Sequence, residues 1–587
     1  MERQKLLDKL EGFQMRNTNN QAYHNKDLYR LLYETEMYIF AYNNIKSNDG
    51  AETAGADGTS LHGFSQLWVE EIISAMRDES YQPLPNKVQW IPKSNGKMRK
   101  LSFPNGKDKL VQEAVRIILE CIYEPTFSDK SFGFRPGRSV QGAIAEVEAW
   151  RGTVWFIEGD ITACFDDIDH RILENILRER IDDERFIRLI NKLLKAGYFD
   201  MQHGYHKGAS GAAQGSTCSP ILCNIYLDKL DRYMEMVIER DTCGKRRKAN
   251  PAYGQATYQY KKAQAAGEDT KTLKKLKQAQ QALPSGDPND PDFRRIRYVR
   301  YADDWLVGII GPKSYAKALK EEIRTFLWES LRLRLSDEKT TITHARKEKA
   351  CFLGYYIKKG YPHHPFDAAI RIFMNVDGLL RKLVGNGFCR KNGYPIGLAR
   401  LQNKPIEEII LYGGQVLRGL LGQQQGCSDF YKGGRIQYIV QFSIAKTLAR
   451  KFDTSMKKIF KRYGKTLKVK FVNVKGKVRT RKLPLFSTFS RRRDFFQNAK
   501  ARPEEEAGMV LQTRNPLEAP CFICKTTDQA VSMFHRKTKR KLSEPCQPII
   551  ELMLQANRRQ IPLCPDCFER ATNNLWQPNQ LLRRIPI

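Results

Sequence analysis

Tyr301-Ala302-Asp303-Asp304, set between Tyr298-Val299-Arg300 and Trp305-Leu306-Val307-Gly308-Ile309-Ile310, decides how this chain folds. Aromatic and β-branched residues on both sides read as two strands, with the acidic pair at the turn between them. Folding does not call for two adjacent carboxylates inside an apolar run. The pair is either turn chemistry or metal chemistry, and a second carboxylate at a strand end separates the two. Val154-Trp155-Phe156-Ile157-Glu158-Gly159-Asp160 supplies it, an apolar strand that ends in Asp160 and runs into Ile161-Thr162-Ala163-Cys164-Phe165-Asp166. Strands that deliver carboxylates to one sheet edge can hold two Mg²⁺ ions, which demand hard oxygen ligands. One ion would lower the pKa of an attacking 3′-hydroxyl, and the other would neutralise a leaving pyrophosphate. Asp160, Asp303 and Asp304 are the minimum set for such a centre.

Charge points the same way. Lys and Arg number 99 against 65 Asp and Glu, a net +34, and the basic residues occur in nearly every segment. Such an excess suits a long polyanion, where each neutralised phosphate releases a counterion, better than a small acidic metabolite. A chain of 587 residues exceeds a single core and suggests about three to four domains. Met1-Glu2-Arg3-Gln4-Lys5 lacks the apolar stretch of a signal peptide, and no run reaches the length of a membrane span. The expected setting is a bacterial cytoplasm or an organelle matrix, with no membrane partner. The 13 cysteines, odd in number and scattered, do not read as a disulfide framework and are expected mostly as buried thiols. The exception is Cys521-x₂-Cys524 with Cys564-x₂-Cys567, the ligand spacing of a four-thiolate Zn²⁺ site.

Patterning divides the chain further. Residues 1–85 read as a helical extension interrupted by a Gly- and Asp-rich loop at 48–58. From 86 to 360, β runs such as Val88-Gln89-Trp90-Ile91 alternate with amphipathic helices such as Asp108 to Tyr123, a mixed α/β (α+β) domain. A basic insertion at 243–290, rich in Lys, Gln and Ala and closed by Pro284-Ser285-Gly286-Asp287-Pro288, reads as a helix and a loop. It is either a solvated insertion or an RNA-contacting arm. Residues 361–485 form a further region that returns to helical periodicity over 405–465 and carries Arg450, Lys451, Lys457, Lys458, Lys461 and Arg462 beside Tyr463. That face either tracks a nucleic-acid backbone or is merely solvated. Residues 486–515 read as a linker with opposed charge blocks, Arg491-Arg492-Arg493 and Glu504-Glu505-Glu506, and 516–587 as a small cysteine module.

Together these residues resemble the reverse transcriptases encoded by group II introns. The Asp-x₄-aromatic step is Asp160 to Phe165, and the loop on the nucleotide side is Ala213-Gln214-Gly215 followed by Ser219-Pro220-Ile221-Leu222-Cys223-Asn224. The YxDD box is Tyr301 to Asp304, and Leu335-Ser336-Asp337-Glu338-Lys339-Thr340 and Phe352-Leu353-Gly354-Tyr355 follow in order. Upstream, Lys97-Met98-Arg99-Lys100, Asp108-Lys109-Leu110-Val111-Gln112 and Ser131-Phe132-Gly133-Phe134-Arg135-Pro136-Gly137-Arg138-Ser139 are close to the fingers of intron-encoded enzymes. The resemblance implies a multidomain protein with right-hand polymerase fingers and palm, a helical thumb or maturase domain, a DNA-binding stretch at 486–515 and a small zinc-binding C-terminal module. It implies that Asp160 and Asp303 bind both Mg²⁺ ions while Asp304 supports the primer-side ion. Phe165 would lie under the sugar of the incoming deoxynucleoside triphosphate and clash with a 2′-hydroxyl. Gln214 would touch that nucleotide, and Lys97 and Arg99 would grip its phosphates, Arg being suited to bidentate contact.

The C-terminal parts resemble the family less evenly. Tyr412-Gly413-Gly414-Gln415-Val416-Leu417-Arg418-Gly419 and Ser443 to Lys451 match the maturase domain, which grips intron RNA and promotes splicing, but Gly422-Gln423-Gln424 replaces the usual Asn-Tyr-Tyr. The cysteine module resembles an HNH endonuclease, notably at Ala556-Asn557-Arg558-Arg559-Gln560-Ile561-Pro562-Leu563-Cys564. Its paired histidines stand here as Phe534-His535, its His after the last Cys is Phe568, and its next His falls at Ala571-Thr572. The implied module keeps its structural Zn²⁺ and binds target DNA but cuts it little or not at all, with His535 a leftover general base. The implied function is RNA-directed DNA synthesis and splicing of the intron RNA. A non-catalytic splicing cofactor is the alternative, opposed by the retention of Asp160, Asp303, Asp304, Phe165 and Gln214.

Overall fold

The computed structural model of the protein describes residues 2–48, 50–92, 98–200, 204–206, 211–283, 285–287, 290–360, 368–472, 478–497, 515–535 and 560–572. Three helices open the chain, α1 (Glu2–Asn19), α2 (Thr35–Ile45) and α3 (Gln66–Arg77). β1 (Asn86–Pro92) and β2 (Met98–Phe103) then pair as an antiparallel hairpin ahead of α4 (Gly106–Tyr123). Apolar residues occur on almost every face of α4, so the helix is buried nearly throughout. Asn105 caps it by accepting from the Asp108 N–H. After α5 (Val140–Glu148) come β3 (Trp155–Asp160), α6 (His170–Arg178) and α7 (Glu184–Lys195). β4 (Tyr198–Asp200) and β5 (Gly204–His206) complete a four-stranded sheet ordered β2-β1-β4-β5. The long α8 (Ser219–Asp241) leads into the insertion.

The insertion is a hairpin of two helices, α9 (Pro251–Ala265) and α10 (Thr270–Gln281), neither with a buried residue. Reading it as one helix and a loop missed the break. Gly267 turns the chain at φ +70°, and Asp269 starts the second helix by accepting from the Thr272 N–H. The hairpin hangs from the start of the next strand through paired Cys243 and Arg294 backbones.

β6 (Arg295–Tyr301) and β7 (Asp304–Ile310) form the hairpin read from the acidic stretch. With α11 (Lys313–Leu331) and β8 (Thr341–His344) they build the second sheet, ordered β6-β7-β3-β8. Side chains alternate across it, as the two-residue period of a strand requires. Ile157, Tyr298 and Val307 enter a core shared with the N-terminal helices, α4 and α8. Phe156, Val299 and Leu306 enter a second core that continues into the C-terminal helices. The sheet is therefore clamped from both faces, and its strand ends are held rigidly.

β9 (Ala350–Phe352), β10 (Tyr355–Lys359) and β11 (Ile370–Met374) form a three-stranded sheet. α12 (Val376–Gly385), α13 (Ile406–Gly422), α14 (Gly433–Lys451) and α15 (Met456–Tyr463) follow, then the ribbon of β12 (Val469–Val472) and β13 (Val478–Arg481). A Cβ on Gly413 would lie 2.7 Å from Ile444, so this glycine lets α13 cross close to α14. The last described elements are β14 (Ser532–His535), β15 (Gln560–Leu563) and α16 (Pro565–Thr572), around a small cluster of their own.

Candidate active site and metal centres

The three acidic residues meet at one sheet edge. β3 and β7 are neighbours, and their register sets Asp160 opposite Asp304. Tyr301 pairs with Asp304 across the hairpin, so Ala302 and Asp303 form its tight turn. Ala302 takes the left-handed conformation at φ +55°. Burial, with Asp160 adding repulsion, raises the Asp303 carboxyl above the usual carboxylate range, while Lys339 and Arg99 oppose the rise. Asp304 rises further, to about 7, through burial first and then the neighbouring Asp303 and Asp160. Carboxylates crowded in this way are relieved by a proton or by a neighbouring cation. In the protein chain that role falls to Lys339, whose Nζ donates to both Asp160 oxygens at 2.9 and 2.8 Å. Lys339 is placed by backbone bonds from Thr162 to Arg334 and from Ser336 to Asp160, each donating through N–H to the carbonyl.

A buried ion pair underlies the turn. Arg300 donates through Nε and Nη2 to the Asp231 carboxylate of α8 at 2.8 and 2.5 Å, and both side chains are fully buried. Tyr298 donates its hydroxyl to the same carboxylate at 2.8 Å. The remaining guanidinium donors reach the Asn224 side chain (3.1 Å), the Ala302 carbonyl (2.9 Å) and the Ser131 hydroxyl (2.8 Å). Arg300 thus holds the catalytic-side turn by its own backbone. Gly133 packs against the same turn, its carbonyl accepting from the Asn224 side chain at 2.8 Å. A Cβ there would lie 3.0 Å from Ala302 Cα and Tyr301 C, and closer still to the Ala302 nitrogen.

Phe165 and Gln214, the residues expected at the nucleotide, lie on segments joined by backbone bonds. The turn after β3 places Ala163 at φ +47° and leaves Phe165 half-buried, with Phe134 at 6.2 Å edge-on. The Phe165 carbonyl accepts from Ala212, and the Gln214 carbonyl accepts from Ser102 of β2, both at 2.7 Å. The loop carrying Gln214 is therefore stitched between the Phe165 turn and the β1–β2 hairpin. Arg99 is exposed on that hairpin and acts on Asp303 electrostatically. Lys97 lies outside the described residues. Sequence reasoning passed over Lys100, which approaches Asp166 at 3.6 Å and sits over the Tyr198 ring at 4.4 Å. It also passed over Lys339 and the Arg300–Asp231 pair. Lys339 falls inside a quoted block, whereas nothing in the sequence links Arg300 to a residue 69 positions away.

Elsewhere the cationic residues of α14 and α15 differ among themselves. Arg450, Lys457, Lys458, Lys461 and Arg462 are exposed, whereas Lys451 bonds the Gln402 carbonyl at 3.1 Å.

The four C-terminal cysteines converge. The sulfurs of Cys521, Cys524, Cys564 and Cys567 all lie within 4.8 Å of one another, and those of Cys524 and Cys564 are 3.6 Å apart. A tetrahedral Zn²⁺ with bonds of about 2.3 Å needs sulfurs about 3.8 Å apart, so the donor set and its size fit that ion. Burial opposes ionisation of Cys521, yet backbone N–H groups at Cys564, Cys524 and Ile523 bring it down to about 6. Burial raises Cys564 and Cys567. The His535 backbone pairs with Gln560, and its side chain lies outside the description, as do the 556–559 and 504–506 segments.

Carboxylates on adjacent strand ends thus stand in the same region as a loop that carries Gln214 and a half-buried ring. Residues 91–357 match the family described as reverse transcriptase (RNA-dependent DNA polymerase), and residues 369–497 match type II intron maturase. The group II intron-encoded protein LtrA of Lactococcus lactis subsp. cremoris is 31% identical over 572 residues, 92% of this chain and 94% of the relative. The putative COX1/OXI3 intron 1 protein of Saccharomyces cerevisiae is 32% identical, covering 95% of this chain and 70% of its own length. The intron 2 protein of the same yeast is 30% identical, and the chain spans only 66% of it. The chain belongs to the group II intron-encoded proteins, and its enzyme class is RNA-directed DNA polymerase. Among solved structures, a telomerase from Candida albicans aligns over 68% of this chain and 67% of its own with a TM-score of 0.32 and 12% identity. That match is too loose to carry an argument. Among the described residues no helix is long and apolar enough to cross a membrane.

Proposed function

We propose that this protein binds its own group II intron RNA, assists its splicing and copies it into DNA at a target site by two-metal nucleotidyl transfer. The observation that carries this reading is the meeting of Asp160, Asp303 and Asp304 at one sheet edge, with Asp304 raised to about 7 by burial and by its two neighbours. Bound Mg²⁺ would activate the primer 3′-hydroxyl and neutralise the departing pyrophosphate. Asp160 and Asp303 would hold both ions and Asp304 the primer-side one. Lys339 then gives up its bonds to Asp160 and remains as a cation at the rim. Arg99 binds the triphosphate of the incoming deoxynucleotide, with Lys97 assigned beside it from sequence. Gln214 touches the nucleotide, and its loop is fixed to β2 so that the contact is positioned before substrate arrives. Phe165 lies under the sugar and excludes a 2′-hydroxyl.

The helical region from α12 to α15, with its exposed cations, grips the intron RNA, and the stretch at 486–515 with the cysteine module meets target DNA. Cys521, Cys524, Cys564 and Cys567 hold a structural Zn²⁺. The module cuts DNA little or not at all, because Phe534 and Phe568 stand where imidazole ligands are needed. Relatives from a bacterium and from mitochondria support a bacterial cytoplasm or an organelle matrix as the setting. Purified protein with its intron RNA tests the reading. Extension of a DNA primer on that RNA with Mg²⁺ and deoxynucleotides is expected, and its absence under conditions where splicing is stimulated would reject the polymerase assignment.

A further inference from the structure

The two rings that replace histidines in the cysteine module come together in space. Phe534 on β14 and Phe568 on α16 are 5.6 Å apart and edge-on. A third ring joins them from the opposite end of the chain. His62 lies 5.1 Å from each. The segment around it adds a strand to the module's edge. The Gly63 N–H donates to the Met533 carbonyl and the Met533 N–H donates to the Phe64 carbonyl, both at 3.0 Å, while Ser65 bridges Ser532. The backbone of Met533 stays in β14, paired with Pro562, while the residue packs, 3% exposed, in the core of the N-terminal helices. On β15, Gln560 accepts from the Tyr42 hydroxyl of α2 and donates to the Lys46 carbonyl at 2.8 Å.

The segment that receives the module also supports the polymerase side. Phe64 is fully buried and stacked on Tyr42 at 4.1 Å. The Thr59 hydroxyl accepts from the Gly106 N–H at 3.2 Å, and Lys109 of α4 donates to the Gly50 carbonyl at 2.8 Å. Further along α4, the Gln112 side chain accepts from the Ser216 hydroxyl and the Thr217 N–H at 2.8 and 3.1 Å, directly after Gln214. An unbroken chain of contacts thus runs from the cysteine cluster through residues 59–65 and α4 to the nucleotide-side loop. Among the described residues, the module's own buried cluster is Cys521, Val531, Ile561, Leu563, Cys564, Cys567 and Ala571, with Phe522, Ile523, Phe534 and Phe568 packed against it. Three of these seven buried residues are cysteines, so a metal that joins them ties the cluster together.

We propose that the zinc module is an intramolecular brace: the face built by Phe534 and Phe568 is occupied by residues 61–65 of the same chain, and zinc binding fixes that segment on α4. The proposal rests on the structural zinc site proposed above. It gives the altered nuclease face a use: a surface filled by His62 and Gly63 is closed to a DNA backbone, so target DNA meets the module on another face.

Hydrogen exchange on the full-length protein tests it, with metal content measured on the same samples. The Cys564→Ser/Cys567→Ser protein should lose its zinc, and exchange in residues 61–65 should rise by about tenfold or more as their cross-module bonds open. Phe568→Asp should keep one zinc per chain and still loosen residues 61–65, which separates the brace from general unfolding. Wild-type protein that binds no zinc would overturn the metal site itself. Zinc-loaded wild type and the cysteine variant with equal protection at 61–65, or Phe568→Asp without effect there, would overturn the brace while leaving the zinc site standing.

Discussion

Gly133→Ala is the sharpest perturbation of the acidic turn that leaves every proposed catalytic group chemically unchanged. The added methyl carbon would sit 3.0 Å from Ala302 Cα and Tyr301 C and nearer still to the Ala302 nitrogen. Ordinary contacts of this kind begin near 3.4 Å, so the turn must retreat by about 1 Å to admit it. It cannot do so freely, because the Arg300 network and the Asp160–Asp304 pairing also hold it. A misplacement of about 1 Å at the reacting groups costs about 10²-fold in rate, equivalent to about 2.7 kcal/mol of transition-state stabilisation. Single-turnover extension of a DNA primer on an RNA template should slow by about that factor with primer-template affinity little changed. Gly254→Ala in α9, where a Cβ meets nothing within 4 Å, is the matched control and should behave as wild type. Folded Gly133→Ala protein that extends within threefold of wild type would refute the reasoning that the turn is held in place by close packing.

Other expectations follow from the same geometry. Arg300→Leu strands the fully buried Asp231 carboxylate and should destabilise the fold by about 3–5 kcal/mol in urea titration, whereas replacing both partners by apolar residues should recover much of the loss. Asp304, raised to about 7 by burial and by Asp303 and Asp160, keeps a proton in the folded state that an unfolded chain releases near pH 4. Between those values the metal-free protein therefore loses stability as pH rises, and Mg²⁺, which must displace the proton, binds more tightly. The Mg²⁺-induced rise in Tm should be larger at pH 8 than at pH 6, Asp304→Asn should flatten the difference, and an equal rise at both values would contradict the assignment. Phe165→Val should relax discrimination against ribonucleotides in a competition assay, and unchanged selectivity would remove Phe165 from the sugar contact.

The legible parts of this chain were those written in local pattern. An apolar run that finishes at Asp160 and another that starts at Asp304 reveal both strands and the edge they share, because a strand end readily exposes a carboxylate. The paired Cys-x₂-Cys steps likewise announce four sulfurs that the fold brings within 4.8 Å. What stayed hidden is set by tertiary contact alone. Arg300 looks like one more surface cation in a basic chain until Asp231 and Asn224 close around it. Lys339 has no signal that distinguishes it from its neighbours until the Ser336 bond to the Asp160 carbonyl swings it over the carboxylates. The docking of β14 on residues 63–65 joins segments from opposite ends of the chain, which no periodicity records. The insertion was misread for a local reason, since a Gly-Glu-Asp break inside a uniformly polar stretch leaves no apolar face to show where one helix stops.

The central claim, a working polymerase and not only an RNA-binding scaffold, is tested most directly with Asp303→Ala. Wild type and variant are compared for splicing of the intron RNA and for Mg²⁺-dependent extension of a DNA primer on it. The account predicts that the variant still stimulates splicing while DNA synthesis falls to background. DNA synthesis that survives in Asp303→Ala, or that wild type fails to perform while splicing proceeds, would contradict it.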